Sequence, residues 1–87
     1  QVLSALNALS DPDAARQAGL DAPLGEIDPA KVNPSGGAIA LGHPVGASGA
    51  RLVQTALTQL HQRHQSRALV SLCVGGGQGV AAVLETS

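Results

Sequence analysis

Residues 36–84 read GGAIALGHPVGASGARLVQTALTQLHQRHQSRALVSLCVGGGQGVAAVL, and the alternation of apolar runs with glycine clusters in this stretch decides the fold. Ala68–Val74 (ALVSLCV) is short and nearly all apolar, which predicts a strand covered on both faces. Gly75, Gly76, Gly77 and Gly79 predict a tight turn, and Val80–Leu84 (VAAVL) the strand that returns from it. Upstream, Ala50–His64 sets Ala50, Val53, Leu57 and Leu60 on one helical face, with Gln54, Thr58, Gln62 and Arg63 opposite. His61, Arg63, His64 and Arg67 gather towards the end of that helix, where positive charge suits the helix dipole. Gly36–Leu41 (GGAIAL) predicts a short buried strand. His43 follows, and Pro44 after it disfavours the α region, so His43 is expected in an extended or turn conformation. Val45–Gly49 is the glycine-rich turn into the helix.

Further out, Val2, Leu3, Leu6 and Leu9 recur at helical spacing and predict the tail of an amphipathic helix. Asp11 is placed to cap a short second helix over Ala14–Ala18, closed by Gly19. Leu20–Ser35 holds three prolines, one glycine and three acids, and residues 10–35 as a whole read as a surface insertion. The order is helix, excursion, strand, helix, strand, glycine turn, strand. That order predicts an α/β fold, part of a layered helix–sheet–helix domain with a mixed sheet.

Composition bounds what such a fold can be. The hydrophobic 44% of the 87 residues consists of 15 Ala, 12 Leu, 8 Val, 2 Ile and 1 Cys, with no Phe, Tyr, Trp or Met. Aromatics dominate core energetics, so any core here is built from small aliphatics. A chain this short buries only about 60% of its unfolded surface, and one cysteine allows no internal disulfide. These features predict that the chain is not a self-sufficient domain. It begins with Gln1 rather than Met and is expected to be a piece of something longer. Six acids against five bases give no electrostatic footprint for nucleic acid or an anionic membrane. The longest apolar runs fall far short of the ~20 residues needed to span a bilayer, and no basic-then-apolar signal opens the chain. At 13% charged residues and a mean hydropathy of +0.16, the chain is too apolar for disorder.

Three features can carry chemistry: His43 in its glycine-flanked loop, Cys73 ahead of a glycine cluster, and the clusters themselves. Each has an ordinary reading. A lone loop histidine is usually just solvated, a lone strand cysteine is most often a small buried hydrophobe, and glycine-rich turns are usually only turns. Phosphate binding fits poorly. Gly77–Ala82 satisfies a relaxed G-x-G-x-x-A but leads into a strand where the dinucleotide fingerprint opens a helix. Gly42–Gly49 lacks the Gly-Lys-Ser/Thr of a P-loop. The functional reading is stronger for another reason. His43 and Cys73 each stand where an apolar run meets glycines, so that backbone N–H groups can approach a ligand closely. If the two strands are neighbours, both side chains emerge at one sheet edge, where α/β sites lie. Gly75 and its neighbours can aim N–H groups at a developing oxyanion. A histidine, a thiol and N–H donors on one rim suggest acyl or thioester chemistry.

Asn33–Arg51 (NPSGGAIALGHPVGASGAR) and Cys73–Ala81 (CVGGGQGVA) closely resemble the two C-terminal signatures of the thiolases, the acetyl-CoA acetyltransferase family. The resemblance is strong over Ile27–Glu85 and weak over Leu9–Glu26. It implies a thiolase-like C-terminal domain and a two-step reaction: a nucleophilic cysteine takes an acyl group, which coenzyme A or a second acetyl-CoA then receives. By the same resemblance His43 activates that nucleophile and helps bind a thioester oxygen. Cys73 is implied as the acid/base that moves a proton at the α-carbon or on the CoA thiol. Gly75 is implied as the N–H donor of the other oxyanion hole. The chemistry is coherent, since a thiolate is the competent nucleophile and an oxyanion donor contributes roughly 3 kcal/mol. The resemblance further implies acyl-CoA as substrate, no metal and no resident cofactor, and a homodimer or homotetramer. It also implies a place in fatty-acid metabolism and β-oxidation, and a cytoplasmic protein, mitochondrial or peroxisomal if eukaryotic.

The departure is that Cys73 is the only cysteine, so the acylated nucleophile, like the family's asparagine motif, must come from the remainder of a thiolase chain. The 87 residues alone are expected to be inactive. Two other readings stand beside this one: an inactive truncated fragment acting only through association with another chain, and a condensing enzyme of the ketoacyl-synthase type. The Cys73-x-Gly-Gly-Gly turn argues against the second.

Overall fold

Asp11 organises the first elements of the chain. In a computed structural model that describes residues 1–86, α1 (Val2–Ser10) ends at Asp11, whose carboxylate accepts from the Asp13 backbone N–H at 3.0 Å and so caps α2 (Pro12–Gln17). Proline at the first helical position costs nothing, because its missing N–H would have no intrahelical partner. Gly19, at φ +83, ends α2 in the left-handed region, as the sequence predicts. α1 packs on α2, and Ala15 is the one buried side chain of this first unit, Gln1–Pro34. The rest of the excursion is irregular apart from a 3₁₀ turn at Pro29–Lys31, capped by Asp28.

The second unit, from Ser35 onward, holds the site. Its first element corrects an expectation, because Ala38–Leu41 forms one helical turn, α3, and not a strand. The N–H groups of Ala40 and Leu41 bond to the Gly37 carbonyl, and that of Gly42 to Ala38. A strand here would leave its N–H and C=O groups without a neighbour, whereas a turn satisfies several of them locally. The run is also not buried, Ile39 being 89% exposed.

α4 (Ser48–Gln62) lies close to the predicted helix. It ends with the Gln65 N–H on the Leu60 carbonyl and the His64 N–H on that of His61, with His64 at φ +53. This is a Schellman close in which histidine occupies the position where glycine is usual. α4 packs on a hairpin of β1 (Arg67–Gly75) and β2 (Gln78–Glu85), paired antiparallel from Arg67↔Glu85 to Gly75↔Gln78. The α/β class therefore holds. The sheet, however, is two-stranded and antiparallel where a mixed one was expected: a short glycine turn can join only antiparallel strands, and the segment expected to supply a further strand is helical.

Only one face of the hairpin is covered. Along β1 the half-buried residues are Ala68, Val70 and Leu72, matched on β2 by Leu84. Leu69 is 62% and Val83 65% exposed on the other face, so the expectation of a strand covered on both sides is not met. On α4 the buried stripe is likewise rotated. Ser48, Leu52, Ala56 and Leu60 turn inward, while Val53 and Leu57 of the expected face stay partly exposed. The exposed Arg67–Glu85 ion pair at 2.7 Å closes the open end of the hairpin and adds little stability in water. No described helix is long and apolar enough to cross a membrane.

Among the described residues only Ala15, Ser48 and Leu60 are buried, and a lone hairpin is marginal in water. Amide exchange on the 87-residue chain should therefore show protection no greater than about a hundredfold anywhere. Strong cooperative protection across both units would contradict this.

Candidate active site

The loop that presents His43 is built by backbone constraint. Gly42 has φ 92 and ψ 167, a conformation essentially reserved for glycine. The glycine before His43 is therefore required by geometry. After it, the Pro44 carbonyl accepts the Ala47 N–H at 2.8 Å and the Ser48 N–H at 3.0 Å, which bends the chain straight into α4. The first turn of α4 then reaches back. Ser48 Oγ donates to the Pro44 carbonyl at 3.2 Å and lies 2.5 Å from His43 Nδ1. Arg51 Nη2 donates to the Gly42 carbonyl at 2.6 Å. The imidazole itself stays exposed, with one nitrogen held.

His43 therefore leaves a helical turn, not a strand, so the expected picture of two neighbouring strands delivering His43 and Cys73 to one edge does not describe this loop. Among the described residues no hydrogen bond links His43 to Cys73 or Gly75. Cys73 is a free, exposed thiol at the last regular ladder position of β1, opposite Gly79. It shares its face with Leu69 and Ser71, the face that α4 does not cover.

Beyond Cys73 the ladder slips. Cys73 pairs with Gly79 but Gly75 pairs with Gln78, which leaves Val74 without a partner as a β-bulge. Gly76 at φ +60 and Gly77 at φ +75 then make a two-residue turn of the type that matches strand twist. Gly75 sits at φ +106, and a Cβ there would meet nothing within 4 Å. Its need for glycine is thus a matter of backbone angle and not of room. Such a bulge re-aims the backbone beside a thiol, as bulges next to active sites commonly do.

Sequence reasoning missed Ser48 and Arg51. Both lie inside the quoted G-A-S-G-A-R stretch, but small and basic residues at a helix start carry no pattern that predicts contacts to a loop five to nine residues upstream. Burial is the signal: Ser48 is 4% exposed in a chain where almost nothing else is covered.

Comparison with known proteins finds one matching family and several similar proteins. The family profile described as "Thiolase, C-terminal domain" matches residues 14–86. The beta-ketoadipyl-CoA thiolase of Acinetobacter baylyi is 66% identical over 58 residues, covering 67% of this chain and 14% of that protein. The acetyl-CoA acetyltransferase of Escherichia coli is 57% identical over 59 residues, covering 68% and 15%. A beta-ketothiolase of Cupriavidus necator is 54% identical over 59 residues, again covering 68% and 15%. The chain thus matches only about a seventh of the length of these relatives.

Substitutions in the glycine turn should separate backbone need from chemistry. Gly76→Asn, at an angle asparagine tolerates, should keep the Cys73–Gly79 cross-strand contacts. Gly75→Ala should lose them at a cost of about 1–3 kcal/mol, the strain of an angle that L residues avoid. Cross-strand nuclear Overhauser contacts between β1 and β2 give the readout, and equal behaviour of the two variants would overturn the assignment.

Proposed function

This chain belongs to the thiolase family through its C-terminal domain, and on that premise we propose that it supplies the proton-transfer half of an acyl-CoA C-acyltransferase site. The reaction is thiolysis of a 3-ketoacyl-CoA or, in reverse, Claisen condensation of acetyl-CoA. The nucleophilic cysteine comes from the rest of the thiolase polypeptide, since Cys73 is the only cysteine here. Coenzyme A enters as substrate, and the chemistry asks for no metal and no resident cofactor. The working protein is a dimer or tetramer of complete thiolase chains.

In the condensing direction His43 Nε2 takes the proton of the nucleophilic thiol. The thiolate attacks the acetyl-CoA carbonyl, the carbon–sulfur bond to coenzyme A breaks as the acyl-enzyme forms, and the departing CoA thiolate takes the proton of Cys73, which is left as a thiolate. Nε2, now carrying a proton, donates to a thioester oxygen. The Cys73 thiolate removes the α-proton of a second acetyl-CoA. The resulting carbanion attacks the acyl-enzyme carbonyl, a carbon–carbon bond forms, and the enzyme thiolate is released. The Gly75 N–H donates to an oxygen that gains negative charge, a role in which one donor contributes about 3 kcal/mol. Thiolysis runs the same steps backwards.

The observation that carries this reading is exposure. Free cysteine is among the most buried residue types, yet Cys73 stands open beside a bulge and a glycine turn. A second reading, association with another thiolase chain without turnover, draws support from the large apolar side chains left exposed, Ile39, Leu69 and Val83 among them. The thiolase match leaves no support for the ketoacyl-synthase reading.

The test uses a full-length thiolase carrying this segment. Cys73→Ala should give an acyl-enzyme burst of near-normal amplitude and then stall, with turnover down about 10²–10⁴-fold, the usual cost of losing a general acid–base group. His43→Ala should suppress the burst as well. Wild-type turnover in Cys73→Ala would return that residue to a packing role.

A further inference from the structure

We propose that Ser48 is a positioning residue for His43, occupying Nδ1 in every protonation state so that Nε2 alone faces the reacting thioester. The inference rests on the proposed function for its catalytic meaning, and on the geometry of the 42–51 segment for everything else. Ser48 is 4% exposed, and its Oγ lies 2.5 Å from His43 Nδ1 and 3.2 Å from the Pro44 carbonyl. A hydroxyl carries one proton and can accept as well as donate.

The Pro44 carbonyl makes this hydroxyl a two-position partner. When Nδ1 holds a proton, as it does in the imidazolium and in the tautomer with a bare Nε2, Nδ1–H donates to Ser48 Oγ and the Ser48 hydrogen points to Pro44. When Nε2 holds the only ring proton, the Ser48 hydrogen swings to Nδ1. No heavy atom has to move in either case. A side chain asked first to take a proton and then to donate a hydrogen bond needs such a partner, because the ring must keep its orientation while its protonation changes. A carboxylate at this place can only accept, and an alanine does neither.

The backbone beneath the ring is held by the same helix turn. Arg51 grips the Gly42 carbonyl on one side of His43, and Ser48 grips the Pro44 carbonyl on the other. Both side chains come from the start of α4, so the loop and the helix form one piece. Nδ1 is the held nitrogen, and among the described residues Nε2 makes no hydrogen bond. Misplacing a reactive group by about 1 Å can cost roughly 10²-fold in rate, which sets the size of effect expected when the clamp is removed.

The experiment compares Ser48→Ala, Ser48→Thr and His43→Asn in a full-length thiolase carrying this segment. Two readouts are taken: kcat and KM for acyl-CoA, and ¹⁵N spectra of histidine-labelled protein, with His43 assigned by its loss in His43→Asn. Ser48→Ala should lower kcat about 10²-fold with KM nearly unchanged, and its His43 ring should show a changed tautomer balance. Ser48→Thr, which keeps the hydroxyl, should recover most of kcat and the wild-type ring spectrum. If Ser48→Ala does not fold, Ser48→Gly takes its place with the same expectation. Near-wild-type kcat in Ser48→Ala, alongside an inactive His43→Asn, overturns the inference and leaves the proposed function standing. Full activity in His43→Asn overturns the proposed function. The ring spectrum then decides the structural part alone, an unchanged spectrum in Ser48→Ala refuting it.

Discussion

The Pro44 carbonyl is the point from which the second unit is organised. It accepts the N–H groups of Ala47 and Ser48 and the hydroxyl of Ser48, and those three bonds start α4, end the His43 loop and fix the angle between them. Proline holds its own φ near −65°, which limits the conformations open to the loop at this point. Gly42 supplies the opposite constraint, an angle open only to glycine, so His43 sits between one residue that cannot flex and one that alone can bend so far. The G-H-P order is thus a mechanical arrangement before it is a chemical one. The nitrogen it leaves exposed is the one that the proposed chemistry uses.

The hairpin solves a different problem with the same economy. Its strands are made of Val, Leu and Ala, and α4 covers one face through Ala68, Val70, Leu72 and Leu84. The other face keeps Leu69, Cys73 and Val83 in the open. A residue set without aromatics cannot make a thick core from so few side chains, and burial here is correspondingly slight. Placing the thiol on the uncovered face keeps it reachable at the cost of apolar exposure. The bulge at Val74 and the positive φ angles of Gly75, Gly76 and Gly77 turn the backbone tightly beside that thiol.

Much of this was legible in the residues. Apolar spacing predicted α1 and α4, Asp11 and Gly19 bounded α2, and the glycine cluster after Val74 predicted the turn between β1 and β2. These signals are local, and local signals survive folding. Gly36–Leu41 was misread because a short apolar run does not distinguish a strand from a helical turn, and what decides it is whether a neighbouring strand exists. The sheet type and the rotation of the α4 stripe were missed for the same reason, since both depend on what packs against what. His43, Cys73 and Gly75 stood out by residue type and by family resemblance. Ser48 did not, because a serine in a glycine-rich loop announces nothing until its hydroxyl is seen buried against an imidazole. The proposed site is therefore easiest to read where its residues are chemically unusual and hardest where common residues do the positioning.

The central claim is that a held His43 and an open Cys73 converge on one thioester once the remainder of a thiolase surrounds them. The most direct test is a crystal structure of a full-length thiolase carrying this segment, trapped as its acyl-enzyme with acetyl-CoA bound. The account predicts His43 Nε2 within hydrogen-bond reach, about 2.6–3.2 Å, of a thioester oxygen, with Nδ1 still on Ser48 and the Cys73 thiol facing the α-carbon of the bound acetyl group. A structure in which Nε2 is tied to a protein carbonyl, or in which Cys73 is sealed from the ligand by a packed side chain, would contradict it.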